Sequence, residues 1–465
     1  MAKMLANEKA PPVSKPKGNF SSHRPISFLA SDYYQIIPNP AATRMGIHEL
    51  NGPLTFPGLR SFLLQMRPHF DDREANAVSK YLKMGGFVTE YKKTQELEQE
   101  LVVFTGAAEA VMTTSGTSAI IMALTALGIG RGDEVIVPDL TMVATANAVV
   151  AVGADVVFAN VRPETLTLTV DTVVHHVTAK TKAVIFVALN NRASDLEALV
   201  SFVHGLPGNV KLIEDSAQSL GAFKSRCDDH LNTCSSKHLG TWGDLGTISF
   251  SSPKIISTGQ GGCVLVPKHA RNASTLAERL RRAKNWGRAQ AGADNYLEHG
   301  INMKFTDLQA VVGLEQMKKL PRRVRRMKEM WERYFVGLSG VPGLHMLSPM
   351  QRRTVMKGTR NEAVEDDPGW IPWFIDVYID GGAAERTRLQ AWLKAHNIQI
   401  RLMYPSLSSQ PVYESHQQFN TMGGAARAAA DSGVFLPSAT GYTNGTIDLV
   451  CELIRLFFST EPAEE

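Results

Sequence analysis

The chain has 465 residues, 44% hydrophobic and 20% charged, the proportions of a globular protein long enough for more than one domain. Its 49 Lys and Arg against 45 Asp and Glu leave a net charge of +4, too mild a surplus to indicate nucleic acid or a membrane surface as partner. Four cysteines in this length make no disulfide framework, no apolar run reaches bilayer-spanning length, and Met1–Lys17 lacks an apolar leader core. The expectation is therefore a soluble protein of a reducing, cytoplasmic compartment.

Residues 1–60, with Pro11, Pro12, Pro16 and the turn signals Asn39-Pro40 and Asn51-Gly52-Pro53, read as a partly flexible N-terminal extension. From Asp71 the pattern turns globular. Asp71-Asp72 predicts a capped helix over Arg73–Met84, and Thr94 is placed as cap of a second helix, Gln95–Phe104. Strands are predicted at 134–138, 155–160, 182–189, 210–214 and 246–250, with helices at 143–151, 170–177 and 194–204 between them. Runs such as Ala183–Leu189 are apolar throughout, which suits strands buried on both faces of a largely parallel α/β sheet. Gly128-Ile129-Gly130-Arg131-Gly132 follows a helix and precedes a strand, the wrong order for a dinucleotide loop.

Between Lys224 and Trp242, Cys227, His230, Cys234 and His238 have a spacing that suits zinc poorly, and an inserted surface loop is expected with no metal. A long helix from about 306 carries Lys318, Lys319, Arg322, Arg323, Arg325, Arg326 and Lys328, read as a solvated face, with Pro321 expected to kink or divide it. After a polar connection at 350–369 comes a second, α+β unit: strand Trp373–Ile379, helix 384–397, segment Ile398–Tyr404 and helices near 424–433 and 445–458.

Four places carry chemistry. Ser115-Gly116-Thr117-Ser118 precedes an apolar helix, where orphan N–H groups and the dipole favour an anion; an ordinary Ser/Thr cap reads equally from these residues. Asp215 closes a strand, where ligands of open α/β sheets bind, though a capping aspartate would look the same. Ser249 and Ser251 offer hydroxyls. Lys254 stands as a lone cation before the glycine-dense turn Gly259–Gly262, an amine placed to lose its charge and act as nucleophile. Together they match the needs of pyridoxal 5′-phosphate: an amine for its aldehyde, an acid for its ring nitrogen, and N–H and hydroxyl donors for its phosphate.

Over residues 65–460 the sequence also resembles the DegT–StrS sugar-nucleotide aminotransferases. The resemblance rests on Ser115-Gly116-Thr117-Ser118, Pro138–Asn147, Glu214-Asp215-Ser216-Ala217-Gln218, Ser249–Lys254 and Thr258–Gly262. It implies an aspartate-aminotransferase-like, fold type I α/β architecture: a large cofactor domain (61–320) with a mostly parallel seven-stranded sheet, and a smaller α+β domain (321–465). It makes Lys254 the Schiff-base lysine, Asp215 the ring-nitrogen partner and Gln218 a contact of the ring hydroxyl. Gly116, Thr117, Ser118 and Ser249 would hold the phosphate, and Met142 would stack on the ring. Asn302 matches an asparagine that reaches the neighbouring subunit's phosphate, which implies a homodimer with shared active sites.

Arg401-Leu402-Met403-Tyr404-Pro405 is similar to a perosamine-synthase segment, so Arg401 and Tyr404 are expected at the substrate. The implied reaction moves an amino group from glutamate to C4 of a nucleotide-linked 4-keto-6-deoxyhexose. A 3-keto sugar aminotransferase and a non-catalytic cofactor-binding regulator are the alternatives; a C3 dehydratase relative would carry histidine in place of Lys254. The family's Pro-Val-His-Leu-x-Gly is replaced by Phe186-Val187-Ala188-Leu189-Asn190-Asn191, with Ala188 where histidine is usual.

Overall fold

The computed structural model describes residues 62–193, 195–228, 233–290, 292–347, 370–416 and 424–460. The N-terminal extension, His230 and the whole polar connection at 350–369 lie outside them.

A seven-stranded sheet forms the centre, in the order β1-β9-β8-β5-β4-β2-β3. Its strands are β1 (Glu109–Thr113), β2 (Glu134–Pro138), β3 (Asp155–Ala159), β4 (Thr181–Val187), β5 (Lys211–Asp215), β8 (Leu245–Ser249) and β9 (Gly262–Val266); β9 alone runs antiparallel to its two neighbours. Alternation along each strand buries both faces. Val135, Ile185 and Ile213 join one core with helix Gly116–Ala126, whereas Ile136, Val184, Phe186 and Leu212 meet Leu196, Leu199 and Val203 on the other. The carboxyl ends of the parallel strands therefore share one edge, the edge that open α/β sheets use for ligands. No helix among the described residues is long and apolar enough to cross a membrane.

The expected Cys/His loop is instead a hairpin, β6 (Phe223–Asp228) and β7 (Thr233–His238), with Cys227 opposite Cys234 in register. His238 is fully buried against Phe104 and Phe223. Its Nε2 accepts the Gly221 N–H at 3.1 Å, and burial pulls its pKa down to about 4. This ring is neutral core.

A second sheet orders β10 (Leu344–His345), β11 (Ile375–Ile379), β13 (Gly433–Leu436) and β12 (Arg401–Leu402). Helix Asp307–Leu338 passes through Pro321 without a break. Only the bond from position 321 is forfeited, and packing along the helix outweighs that single loss. Two of its cations are not solvated. Lys319 pairs with Glu74 at 2.6 Å and Asp71 at 2.9 Å, and Arg323 donates to the carbonyls of His69 and Ile255. That face turns toward helix Asp72–Lys83, where Asp71 and Glu74 form the expected N-terminal cap.

Thr94, by contrast, does not cap its helix. Helix Lys92–Thr105 begins after Tyr91, which gives no side-chain cap. The carboxylate of Asp307, 213 residues beyond Thr94, accepts the N–H groups of Tyr91, Lys93 and Thr94 and the hydroxyls of Thr94 and Tyr81. Burial opposes its ionisation, but these bonds hold its carboxyl below the ordinary 3.8. A depressed carboxyl pKa stabilises the fold above pH ~4 and loses that contribution as pH falls through the folded value. Asp307→Asn is expected to cost about 2–4 kcal/mol at pH 7, with the gap from wild type narrowing below pH ~4 in urea unfolding.

Candidate active site

The strand edge gathers the candidates. Beyond β1, Ser115 is the N-cap of helix Gly116–Ala126, and its hydroxyl accepts the Ser118 N–H at 3.0 Å. The Ser118 hydroxyl lies 2.9 Å from those of Thr114 and Ser115. Both readings of this motif hold together: one hydroxyl caps, and the first turn still presents N–H groups without helical partners. Ser249 ends β8, and Gly262 pairs with both Ser249 and Thr113. Glycine is required here by space. A Cβ on Gly262 would lie 2.1 Å from the Ser115 carbonyl oxygen, and one on Gly116 would lie 2.9 Å from Ser249 Cβ. The two glycines let the helix N-terminus close on the Ser249 hydroxyl, making a cradle of N–H and O–H donors suited to a phosphate.

Alternation along β5 separates its two terminal acids. Glu214 points away from the edge and accepts the N–H groups of Gly240, Trp242 and Gly243, a structural role. Asp215, 6% exposed, accepts the Thr145 hydroxyl at 2.7 Å and the Ala217 N–H at 3.2 Å. Burial raises its pKa, against the two hydrogen bonds and the nearby Lys254 charge. A buried acid of this kind gains most from a cationic partner.

Lys254 supplies the opposing group. Burial is the main cause that lowers its amine to about 8; Asp215 resists and Arg401 adds to the shift. Among the described residues its Nζ makes no hydrogen bond or ion pair, and its neighbour is the Trp373 ring, 4.2 Å away. Trp373 is held by its indole N–H on the Pro253 carbonyl at 3.0 Å. Gln218, 7% exposed, accepts the Asn190 N–H on its Oε1 at 2.7 Å, which leaves its amide N–H groups for a ligand.

Arg401, on β12, places its guanidinium 5.2 Å from the Tyr404 ring centre. Burial pushes the Tyr404 phenol up to about 12, with Asp215 adding and Arg401 opposing. These influences tie Lys254, Asp215, Arg401 and Tyr404 to one region. The β12 side is fastened through Asp139, which accepts the hydroxyls of Ser406 and Ser408 and the Ser408 N–H. Met142, on the same connection as Asp139, is 45% exposed. Ala188 is buried beside the site, its N–H on the Asp215 carbonyl at 3.4 Å.

Asn302 stands apart. It is exposed, bridges to Asn285 and accepts the Lys304 N–H at 3.3 Å, and no contact in the described residues joins it to Lys254 or Asp215. Thr145, Asn190, Trp373 and Asp139 are site-forming residues to which sequence reasoning assigned no role. Asp139 stood inside a quoted motif, whereas Asn190 and Trp373 touch the site only through long-range contacts.

The chain matches the DegT/DnrJ/EryC1/StrS aminotransferase family over residues 68–455. It is 28% identical over 396 residues to the GDP-perosamine synthase of Vibrio cholerae, covering 84% of this chain and 98% of that protein. It is 31% identical over 295 residues to the spore coat polysaccharide biosynthesis protein SpsC of Bacillus subtilis, covering 61% and 71% of the two chains. The aminotransferase TlmJ of Streptoalloteichus hindustanus superposes with a TM-score of 0.72 at 27% identity, over 85% of this chain and 99% of that one. Its seven-stranded sheet, lone site lysine and family match make this chain a fold type I, pyridoxal-phosphate-dependent enzyme that belongs to the DegT/DnrJ/EryC1/StrS aminotransferase family.

Proposed function

We propose that this sugar aminotransferase moves an amino group from glutamate to C4 of a nucleotide-linked 4-keto-6-deoxyhexose, giving a perosamine- or viosamine-type product. The observation that carries the reading is the unpaired Lys254 amine beneath Trp373, with the buried Asp215 and the Arg401–Tyr404 pair around it. Similarity to GDP-perosamine synthases over most of both chains supports C4.

Bound pyridoxal phosphate supplies an electron sink that lets a carbon next to nitrogen lose a proton. The chain's own residues do the rest. Gly116, Thr117, Ser118 and Ser249 hold the phosphate with N–H and hydroxyl donors. Asp215 would stand ionised against the ring nitrogen, Gln218 would donate to the ring hydroxyl, and Met142 would cover a ring face. Lys254 would be the amine that holds the aldehyde and, once free, the group that carries a proton at Nζ; its lowered pKa leaves a useful fraction neutral near pH 7–8. Arg401 offers a planar fork of donors to the substrate diphosphate, beside Tyr404.

Residues 61–320 form the cofactor domain and 321–465 the smaller one. The working form is a homodimer in which Asn302 serves the phosphate of the other copy; the exposed Trp286, Leu297 and Ile301 near Asn302 supply apolar surface for that contact.

Purified protein incubated with glutamate and a panel of nucleotide-linked 3- and 4-keto-6-deoxy sugars, followed by mass spectrometry, tests the reading. Mass gain matching ketone-to-amine exchange is expected on the 4-keto members. Exchange on 3-keto members alone would replace C4 by C3, and a cofactor absorbance band that never responds to glutamate would make the protein a binder without turnover.

A further inference from the structure

The segment that departs from the family pattern, Phe186–Asn191, and the Arg192 that follows it are built into the structure. Asn190 and Asn191 both adopt left-handed backbone, φ 52° and 63°, a conformation asparagine tolerates better than most residues. The turn brings Asn190 to a junction, where it is 1% exposed. Its backbone N–H fixes Gln218 at 2.7 Å. Its side-chain oxygen accepts the N–H groups of Trp373 at 2.7 Å and Phe374 at 3.0 Å. Its side-chain amide donates to Asp376 at 2.6 Å.

Asp376 is in turn held by Arg192 at 2.5 Å and by the Tyr378 hydroxyl at 2.7 Å. Arg192 and Asp376 are themselves buried, 4% and 1% exposed. A hydrophobic pair of similar volume would often be as stable as a buried ion pair, so the distinctive contribution of this one is its directed bonds. What it fixes here is the start of β11, and with it the indole that covers the Lys254 amine at 4.2 Å.

We infer that Asn190 is a positioning residue: through the backbone of Trp373 and Phe374 it sets the indole over Lys254 Nζ, and so tunes the proton at that nitrogen. Arg192 and Asp376 lock Asn190 in this role. The inference rests on Lys254 being the cofactor lysine. An aromatic face near a cation favours its charged form, so Trp373 resists the burial that lowers the amine.

The test is a pH titration of the bound cofactor's absorbance, with cofactor affinity and thermal midpoint measured alongside. In Asn190→Gly the left-handed turn and the N–H to Gln218 are kept, while the hold on Trp373 is lost. The titration midpoint is expected to fall by roughly one half to one pH unit, and Trp373→Leu should reproduce the shift. The exchanged pair Asn190→Asp with Asp376→Asn restores an acceptor for both N–H groups and the same total charge, and should return the midpoint to its wild-type value. If the glycine variant does not fold, Asn190→Ser, whose hydroxyl is too short to serve both N–H groups, is expected to shift the midpoint in the same direction. An unchanged midpoint in a folded, cofactor-loaded variant overturns the inference, whatever happens to thermal stability. So does a shift in Trp373→Leu that no folded Asn190 variant shares. A wild-type protein that develops no cofactor band would instead overturn the assignment of Lys254.

Discussion

Lys254→Ala is expected to lower amino transfer by about 10⁴-fold or more, because in the proposed mechanism one side chain would supply both the anchoring amine and the moving proton. The structure gives no substitute: among the described residues no second lysine shares the surroundings of Asp215 and Trp373. Steady-state rates, with the glutamate-dependent change in cofactor absorbance, are the measurement. Amino transfer retained together with the absorbance change would remove Lys254 from the mechanism.

The same substitution has a stability signature with a definite sign. The folded amine stands near 8, below its ordinary 10.5, chiefly through burial. The unfolded chain therefore binds the extra proton between about pH 8 and 10.5, and over that window stability rises with pH. In the apoprotein this rise belongs to wild type and should be weakened in Lys254→Ala. A buried amine kept at a cost to stability is the trade between activity and fold expected if Lys254 has the proposed role.

How much of this was legible from sequence depends on the range of the interaction. Strands β2 to β5 and β8 were readable almost to the residue, because each is a short apolar run buried on two faces and flanked by turns. β9 was not, since Gly262–Val266 follows a glycine-dense turn that reads as ligand loop, and one of its partners, β1, lies about 150 positions earlier. The helix at Lys92 shows the limit plainly: its cap comes from Asp307, and local spacing cannot disclose a carboxylate 213 residues away. The basic run on helix Asp307–Leu338 misled for the same reason, because what buries Lys319 is Glu74 on another helix.

In the site, the order of motifs named the groups that the structure gathers at one strand edge: Ser115–Ser118, Asp215, Ser249 and Lys254. It did not disclose the residues that hold those groups in place. Thr145 stood inside the quoted Pro138–Asn147 with no role assigned, and its bond to Asp215 spans 70 positions; Asn190 and Trp373 meet each other across 183. The departure at Ala188 looked like a loss beside the site. The structure fills that loop with Asn190 and Arg192, which make bonds that Ala188 could not.

Asp215→Asn separates chemistry from folding more cleanly than any other change. The amide has nearly the same shape, and its oxygen can still accept the Thr145 hydroxyl that now lies at 2.7 Å. It also relieves the chain of a carboxylate whose ionisation burial disfavours. Thermal stability is therefore expected to stay within about 1 kcal/mol of wild type, the lost charge-assisted bond from the Ala217 N–H offset by the cheaper burial of an amide. Activity should behave oppositely. Without an ionised partner the cofactor's ring nitrogen is less often protonated, and the electron sink weakens at the step where a proton leaves carbon. A fall of roughly 10²–10³ in kcat is expected, the scale of removing one preorganised electrostatic partner. KM for glutamate should change little, since in the proposed arrangement Asp215 would meet the cofactor's ring nitrogen rather than the donor's carboxylates. Asp215→Glu should not restore the rate, because the longer side chain cannot keep both the Thr145 and Ala217 bonds and the same reach to the ring. A variant with near-normal kcat and an unaltered cofactor spectrum would show that the buried acid serves only the sheet edge, and that the ring nitrogen takes its proton from elsewhere.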